Sequence, residues 1–260
     1  MTMKIFDSHT HLNDPHYAGH EAEFVAHAKA LHVVNMAIVG SDTDFNQGAI
    51  DLAQRFANLY AIVGWHPEFS KDFTPEAEAI LMTQLHHPKV VALGEIGLDY
   101  HWNTSPQDVE RQVFARQLEI ANDLQKPVSI HTRDAFEDTY KILKASQIQH
   151  FGGIMHSFTG DETWANRFLD LGMYVSFSGM VTFKNAPEIQ AAAKIIPDDR
   201  LLVETDAPYL TPVPYRGKPN EPGYTYYVVQ KLAELRQTTP VHIAQVTYDN
   251  ARKVFGLTDE

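Results

Sequence analysis

Eight short apolar runs, rich in Val and Ile, recur along this 260-residue chain between longer amphipathic stretches, and that alternation constrains the fold more than any other feature. The runs are Lys4–Asp7, Val33–Val39, Tyr60–Val63, Val90–Leu93, Pro127–His131, Gly153–His156, Met173–Phe177 and Leu201–Glu204. Apolar runs of this length read as strands buried on both faces. The intervening segments carry helical periodicity. In Asp108–Leu124, for example, Val109, Phe114, Leu118 and Ala121 fall roughly on one face. Pro106 precedes that helix, and Pro75 and Pro222 mark other helix starts. A strand followed by a helix, eight times over, predicts the α/β class and a TIM (β/α)₈ barrel, which usually needs about 250 residues. No linker or break in composition divides the chain, so residues 1–260 are expected to form a single barrel domain. A doubly wound open sheet would carry a glycine-rich phosphate loop after its first strand, where this chain reads Asp7-Ser-His-Thr-His.

Composition removes several other outcomes. With 44% hydrophobic residues, including 14 Phe, 11 Tyr and 3 Trp, the chain can fill a large core. It has no cysteine, which excludes a disulfide framework, thiol catalysis and thiolate metal sites; any metal must be held by nitrogen and oxygen. The start, Met1-Thr-Met-Lys-Ile-Phe-Asp, lacks the apolar stretch of a secretion signal. Nowhere do about 18 apolar residues run uninterrupted, so a cytoplasmic protein with no membrane partner is expected. A formal net charge of −12 argues against a broad basic footprint on duplex DNA, and a nucleic-acid substrate would have to be gripped locally.

His9 and His11 stand one residue apart at the end of the first run, so strand alternation puts both imidazoles on one face. Taken alone, such a pair is more often two satisfied core histidines. Here ligand-type side chains recur at the equivalent place on other strands. Glu95 follows Val90-Val-Ala-Leu-Gly, His131 follows Val128-Ser-Ile, His156 follows Ile154-Met, and Asp206 follows Leu201-Leu-Val-Glu-Thr. The C-terminal strand ends form the mouth where barrel enzymes keep their sites, so these six side chains are expected to converge there. Imidazole with carboxylate suits Zn²⁺, Mn²⁺ or Fe²⁺. A two-metal site with ions roughly 3.5–4 Å apart needs a bridging carboxylate, a part for which Glu95 is placed.

Seven blocks in order, Phe6-Asp-Ser-His-Thr-His-Leu, Gly64-Trp-His-Pro, Gly94-Glu-Ile-Gly-Leu-Asp-Tyr, His131-Thr-Arg-Asp-Ala, His156-Ser-Phe-Thr-Gly, Glu204-Thr-Asp-Ala-Pro-Tyr-Leu and Arg216-Gly-Lys-Pro-Asn-Glu-Pro, resemble those of the TatD family of metal-dependent deoxyribonucleases, within the amidohydrolase-type barrels. The resemblance runs from residue 5 to Asn250-Ala-Arg, with Trp65 and Thr159 as small departures. It implies two divalent ions per subunit (Mg²⁺, Mn²⁺ or Zn²⁺). His9, His11, Glu95 and Asp206 would hold one, and Glu95, His131 and His156 the other. It also implies a DNA substrate, single-stranded or met at a 3′ end, and a 3′-to-5′ exonuclease-like phosphodiester hydrolysis.

Asp206 and Glu95 are the expected catalytic residues, Asp206 orienting the attacking water and accepting its proton. Four further residues are expected to meet the substrate. His66, in Gly64-Trp-His-Pro, is read as ending the third strand and facing the mouth, a phosphate or water neighbour. Arg133, two residues past His131, can clamp a phosphate with its forked guanidinium. Arg216 and Lys218 follow the eighth strand, where barrels often bind phosphate. Glu204, Asp99 and Asp7 are carboxylates near the mouth outside the expected ligand set, and Tyr224, Tyr226 and Tyr227 are read first as packing. No Gly-x-Ser-x-Gly elbow, phosphate-binding Gly-Lys-Ser/Thr loop or His-Glu-x-x-His helix is present. The alternatives are an amide or lactone hydrolase on the same metal barrel and, outside enzymes, a metal-stabilised binding scaffold.

Overall fold

A computed structural model of the chain describes residues 3–102 and 104–257. Its strands are β1 Ile5–Thr10, β2 Val33–Val39, β3 Leu59–Val63, β4 Val90–Asp99, β5 Val128–Arg133, β6 Gly153–Met155, β7 Tyr174–Phe177 and β8 Leu201–Val203. The helices are α1 Glu21–Ala30, α2 Thr43–Arg55, α3 Pro75–Leu85, α4 Gln107–Leu124, α5 Phe136–Ala145, α6 Glu162–Asp170, α7 Pro187–Ile195, α8 Thr225–Leu235 and α9 Pro240–Val254. Neighbouring strands pair in parallel in the order β1 to β8. The ring closes by backbone bonds between the end of β1 and the segment just after β8: Asp206 N–H to the His9 carbonyl at 2.9 Å and His11 N–H to the Ala207 carbonyl at 2.8 Å. The fold is a TIM barrel.

The helices begin where local chemistry starts them. Thr74 caps α3 and Thr239 caps α9, each followed by a proline at the first helical position, and the Asp42 and Asp161 carboxylates cap α2 and α6. The larger apolar cluster fills the layer between barrel and helices. A second cluster draws residues from seven strands, among them Phe6, Val39, Ile62, Ala92, Ile154, Tyr174 and Leu202, with Ala251 and Phe255 from the α9 end beneath them. Two residues further along several of these strands the side chains turn polar: Ser8 and Ser176 share a hydrogen bond of 3.1 Å, His156 follows Ile154, and Glu204 follows Leu202. The barrel interior therefore grades from apolar at its base to polar and titratable at its mouth.

Three strands run further than their apolar runs, β5 reaching Arg133. β1 continues through Ser8, His9 and Thr10, and β4 through Glu95 to Asp99, all buried. The third strand stops earlier than its expected site residue: β3 ends at Val63, and His66 instead caps a short helical turn over Pro67–Asp72.

Candidate metal centre

Glu95 is buried in β4, and its two oxygens face different partners. Oε2 lies 3.3 Å from His9 Nε2 and 3.6 Å from His11 Nε2. Oε1 lies 2.8 Å from His131 Nδ1, 2.9 Å from His156 Nε2 and 3.5 Å from His66 Nε2. Asp206 brings Oδ1 to 3.4 Å from His11 Nε2 and 3.8 Å from His9 Nε2. Thus four histidines meet around the Glu95 carboxylate, and Asp206 joins them through His9 and His11. Adjacent ligands on a small divalent ion at about 2.0–2.1 Å stand about 2.9–3.4 Å apart in octahedral or tetrahedral geometry, close to these separations. Three overlapping groups of side chains have ligand atoms mutually within 4.8 Å: His9, His11, Asp206; His9, Glu95, His156; and His66, Glu95, His131.

Backbone geometry at two places makes the convergence possible. Gly97, two residues past Glu95, has φ +144°, and a Cβ there would stand 1.9 Å from the His131 carbonyl oxygen, so only glycine lets β4 lie this close to β5. Asp206 adopts the left-handed region at φ +55°, which short Asp and Asn side chains tolerate, and this turn aims its carboxylate back toward the first-strand histidines.

Each of the four inward imidazoles is braced through the nitrogen that does not face Glu95. His11 Nδ1–H donates to the Val39 carbonyl at 3.0 Å, and His9 Nδ1 meets Ser129 Oγ at 3.2 Å. His131 Nε2–H donates to Asp99 Oδ2 at 2.8 Å, and His156 Nδ1–H to Glu204 Oε1 at 3.2 Å. Carboxylates and carbonyls in this position are what orient histidine ligands on metals and raise their basicity. When the rings are neutral, these bonds leave His11 Nε2, His131 Nδ1 and His156 Nε2 as lone-pair donors. His9 Nε2 is buried and meets no hydrogen-bond partner, an arrangement that a bound cation would satisfy. His66 is built differently. Its Nδ1 accepts the Glu68 N–H at 3.3 Å, which puts the proton on Nε2 and makes the inward-facing atom a donor rather than a ligand.

Electrostatics follow from crowding in a dry site. Burial opposes charge on Glu95, but His156, His66 and the hydrogen bonds from His131 and His156 outweigh it and hold the carboxyl well below its usual range. Asp206, also opposed by burial, is held down by the hydrogen bond from His11 and by the neighbouring imidazoles. Burial works against protonating His131, yet its bonds to Asp99 and Glu95 raise it to about 9. His156 and His11 rise for the same reason, their carboxylates overcoming burial. His9 goes the other way, depressed by burial and by the charge of His156, whose ring stacks on it at 3.9 Å. Protons and cations thus compete for one set of donors.

The expected substrate residues stand further out. His66 is half-buried beside Glu95, whereas Arg133, Arg216 and Lys218 are exposed. Arg133 covers the Trp102 ring at 5.5 Å. Arg216 lies over Phe183 at 3.8 Å with Asn185 Oδ1 3.5 Å away, and Lys218 is 5.7 Å from the Tyr215 ring. Their loop is pinned by Asn220, whose Nδ2 donates to the Thr205 carbonyl at 3.0 Å and whose own carbonyl accepts Tyr17 Oη–H at 2.7 Å. Asp99 and Glu204, outside the expected ligand set, hold His131 and His156. The sequence pattern did not single out Ser129. The signal available for Asp99 was alternation, since it lies four residues beyond Glu95 on the same strand face.

A barrel whose mouth gathers braced imidazoles around a buried carboxylate belongs to the class of metal-dependent hydrolase folds. The model of the TatD-related DNase family matches residues 6–256, and the chain belongs to that family. YabD of Bacillus subtilis, described as an uncharacterized metal-dependent hydrolase, is 44% identical over 97% of this chain and 99% of its own. A Salmonella typhimurium protein named a 3′-5′ ssDNA/RNA exonuclease TatD is 34% identical over 97% of this chain and 99% of its own. The crystal structure of YjjV, a TatD homologue from Escherichia coli, superposes with a TM-score of 0.94 at 28% identity, covering 99% of this chain and all of that one.

Proposed function

We propose that this chain is a phosphodiesterase that removes nucleotides from single-stranded DNA at its 3′ end, using two divalent cations bridged by Glu95. The observation that carries this reading is the division of labour on Glu95: Oε2 faces His9 and His11, while Oε1 faces His131 and His156. His9, His11, Glu95 and Asp206 would hold one ion, and Glu95, His131 and His156 the other. Charge agrees with two ions. Glu95, Asp206, Asp99 and Glu204 carry a formal −4 when ionised, which two divalent cations balance against neutral imidazoles. When bound, such a pair lowers the pKa of a water from about 15.7 toward ~7 and neutralises charge on phosphate oxygens.

The chain's own groups supply the rest. Asp206 Oδ1, ionised beside His11, orients the attacking water and takes its proton. His66 Nε2–H, beside Glu95, donates to a non-bridging phosphate oxygen. Arg133, exposed at the end of β5, and Arg216 and Lys218, exposed after β8, grip the flanking phosphates, the local cationic contacts that a chain of net charge −12 needs. Those cations favour a phosphodiester over an amide or lactone on the same scaffold. The printed name of the Salmonella relative supports single-stranded nucleic acid and 3′-to-5′ direction.

The test is the metal-reconstituted protein assayed in parallel on end-labelled single- and double-stranded DNA, RNA, and a panel of lactones and amides. Stepwise shortening of single strands from the 3′ end is expected. Lactone or amide turnover with intact oligonucleotides would replace the phosphodiesterase reading, and metal binding with no turnover of any substrate would leave a binding scaffold.

A further inference from the structure

Among the described residues, three Phe, Tyr or Trp side chains are exposed: Phe69 at 38%, Trp102 at 51% and Tyr209 at 57%. All three stand at the barrel mouth in the segments that follow β3, β4 and β8, Phe69 within the helical turn Pro67–Asp72. Each sits three positions after a residue of the metal centre, and its amide is bonded back to that residue. Phe69 N–H donates to the His66 carbonyl at 3.0 Å, Trp102 N–H to Asp99 Oδ1 at 3.0 Å, and Tyr209 N–H to the Asp206 carbonyl at 2.9 Å. The rings stay near the centre as well: Phe69 is 6.3 Å from the His66 ring and Tyr209 is 6.4 Å from His11. Asp99 spans from the Trp102 amide to His131 with its two oxygens.

Single exposed apolar residues are ordinary on a protein surface. A tether repeated at the same spacing in three segments around one site is not scatter. It fixes the backbone of each aromatic residue to the residues that surround the ions while leaving a ring face in solvent. The neighbouring tyrosines contrast with this. Tyr215 and Tyr224 stack on each other at 4.6 Å, Tyr227 packs edgewise on both, and all three are half-buried. Trp102 has a further feature, the Arg133 guanidinium 5.5 Å from its ring, so one side of the mouth offers an aromatic face and a cation together.

We propose that Phe69, Trp102 and Tyr209 form a stacking rim that receives the unpaired bases flanking the scissile phosphate, making this centre selective for nucleic acid whose terminal bases are free of a duplex. The inference rests on the phosphodiesterase reading above. A base stacked on an aromatic side chain contributes about 1–3 kcal/mol with little regard to sequence, equivalent to roughly 5–150-fold in binding, and a paired base inside a duplex has no free face to offer. Tyr209, beside His11, takes a base on the first-strand side. Trp102 takes one on the β4–β5 side, where Arg133 reaches the adjoining phosphate.

The experiment uses the full, metal-reconstituted chain and two forms of one single-stranded oligonucleotide, intact or abasic at the nucleotides flanking the cleaved bond. The intact form is expected to be cleaved with a roughly 5–150-fold advantage in kcat/KM, mostly through KM. In Trp102→Leu and Tyr209→Leu that advantage shrinks, because the variant has already lost what the abasic strand lacks. Metal content is measured on each variant, so that a damaged centre is recognised. Tryptophan emission gives a readout independent of turnover: an intact oligonucleotide should quench the wild type, and Trp102→Leu should lose that change. Equal cleavage of intact and abasic strands, with no change in emission, overturns the stacking rim while the phosphodiesterase reading stands. Failure to cleave any oligonucleotide removes the phosphodiesterase reading and the rim with it.

Discussion

In the proposed reaction Asp206 would join two tasks in one side chain, holding a cation and taking the proton of the attacking water. Its Oδ1 lies within 3.8 Å of both first-strand imidazoles, and its left-handed backbone is one that asparagine also accepts. Asp206→Asn should therefore fold, keep part of its metal through His9, His11 and Glu95, and lose about 10²–10⁴-fold in kcat on a phosphodiester, as removal of a general base does. Turnover and metal occupancy determined on the same sample decide the matter. Near-wild-type turnover in a fully metallated Asp206→Asn protein would transfer the proton to another group. At this scale the sequence was legible wherever residue type and strand position coincided: four histidines meet around the Glu95 carboxylate, and Asp206 joins them through His9 and His11. Contacts between side chains from different strands were not legible. Nothing in the spacing of Asp99 or Glu204 says which ring nitrogen each would hold, and nothing near His66 shows that the Glu68 amide fixes its proton on Nε2.

The strands and helices that carry these residues were readable from hydrophobic periodicity, and their ends were not. β1 and β4 extend past their apolar runs because burial at the mouth is bought with hydrogen bonds and ion pairs, which no hydropathy pattern registers. β4 in particular passes through Gly94 and Gly97, residues that read as strand breakers but permit close approach to β5. Gly97→Ala should destabilise the fold by about 1–3 kcal/mol, the usual result of forcing extra atoms into a packed interior, and lower metal affinity by moving Glu95 against His131. Urea unfolding of the metal-free protein with a metal titration checks both; unchanged values would mean the strands can part without cost. Asp7 closes the barrel on its other side, sharing a 2.5 Å hydrogen bond with the Thr205 hydroxyl. Burial pushes its carboxyl up to about 8 despite the bonds from Thr205 and His9. The folded chain thus keeps a proton that the unfolded chain releases near its ordinary 3.8, so this residue's contribution to stability falls as pH rises from about 4 to about 8. Asp7→Asn keeps an acceptor for the Thr205 amide and does not titrate. Its Tm, measured metal-free, should decline less across that window than that of the wild type, and parallel curves would contradict the shift.

For the molecule as a whole, the formal net charge is −12. In the proposed function long-range attraction would not draw a polyanion to a chain of this charge, and contact at Arg133, Arg216 and Lys218 would have to do so. Replacing both Arg216 and Lys218 with Ala should raise KM for single-stranded DNA more than it lowers kcat, and reduce the salt slope of binding by about 0.7 per lost phosphate contact. Unaltered KM and slope would make that loop a mere surface feature. The proposed hydrolytic centre joins two cations through Glu95. Its most direct test is a divalent-metal titration of the metal-free protein in which bound ions are counted by elemental analysis and 3′-end cleavage of single-stranded DNA is measured at every point. The expected result is about two ions per chain at saturation, turnover appearing as the second is filled, and a lower stoichiometry in Glu95→Gln. Full turnover at one ion per chain, with Glu95→Gln binding the same number as wild type, would contradict it.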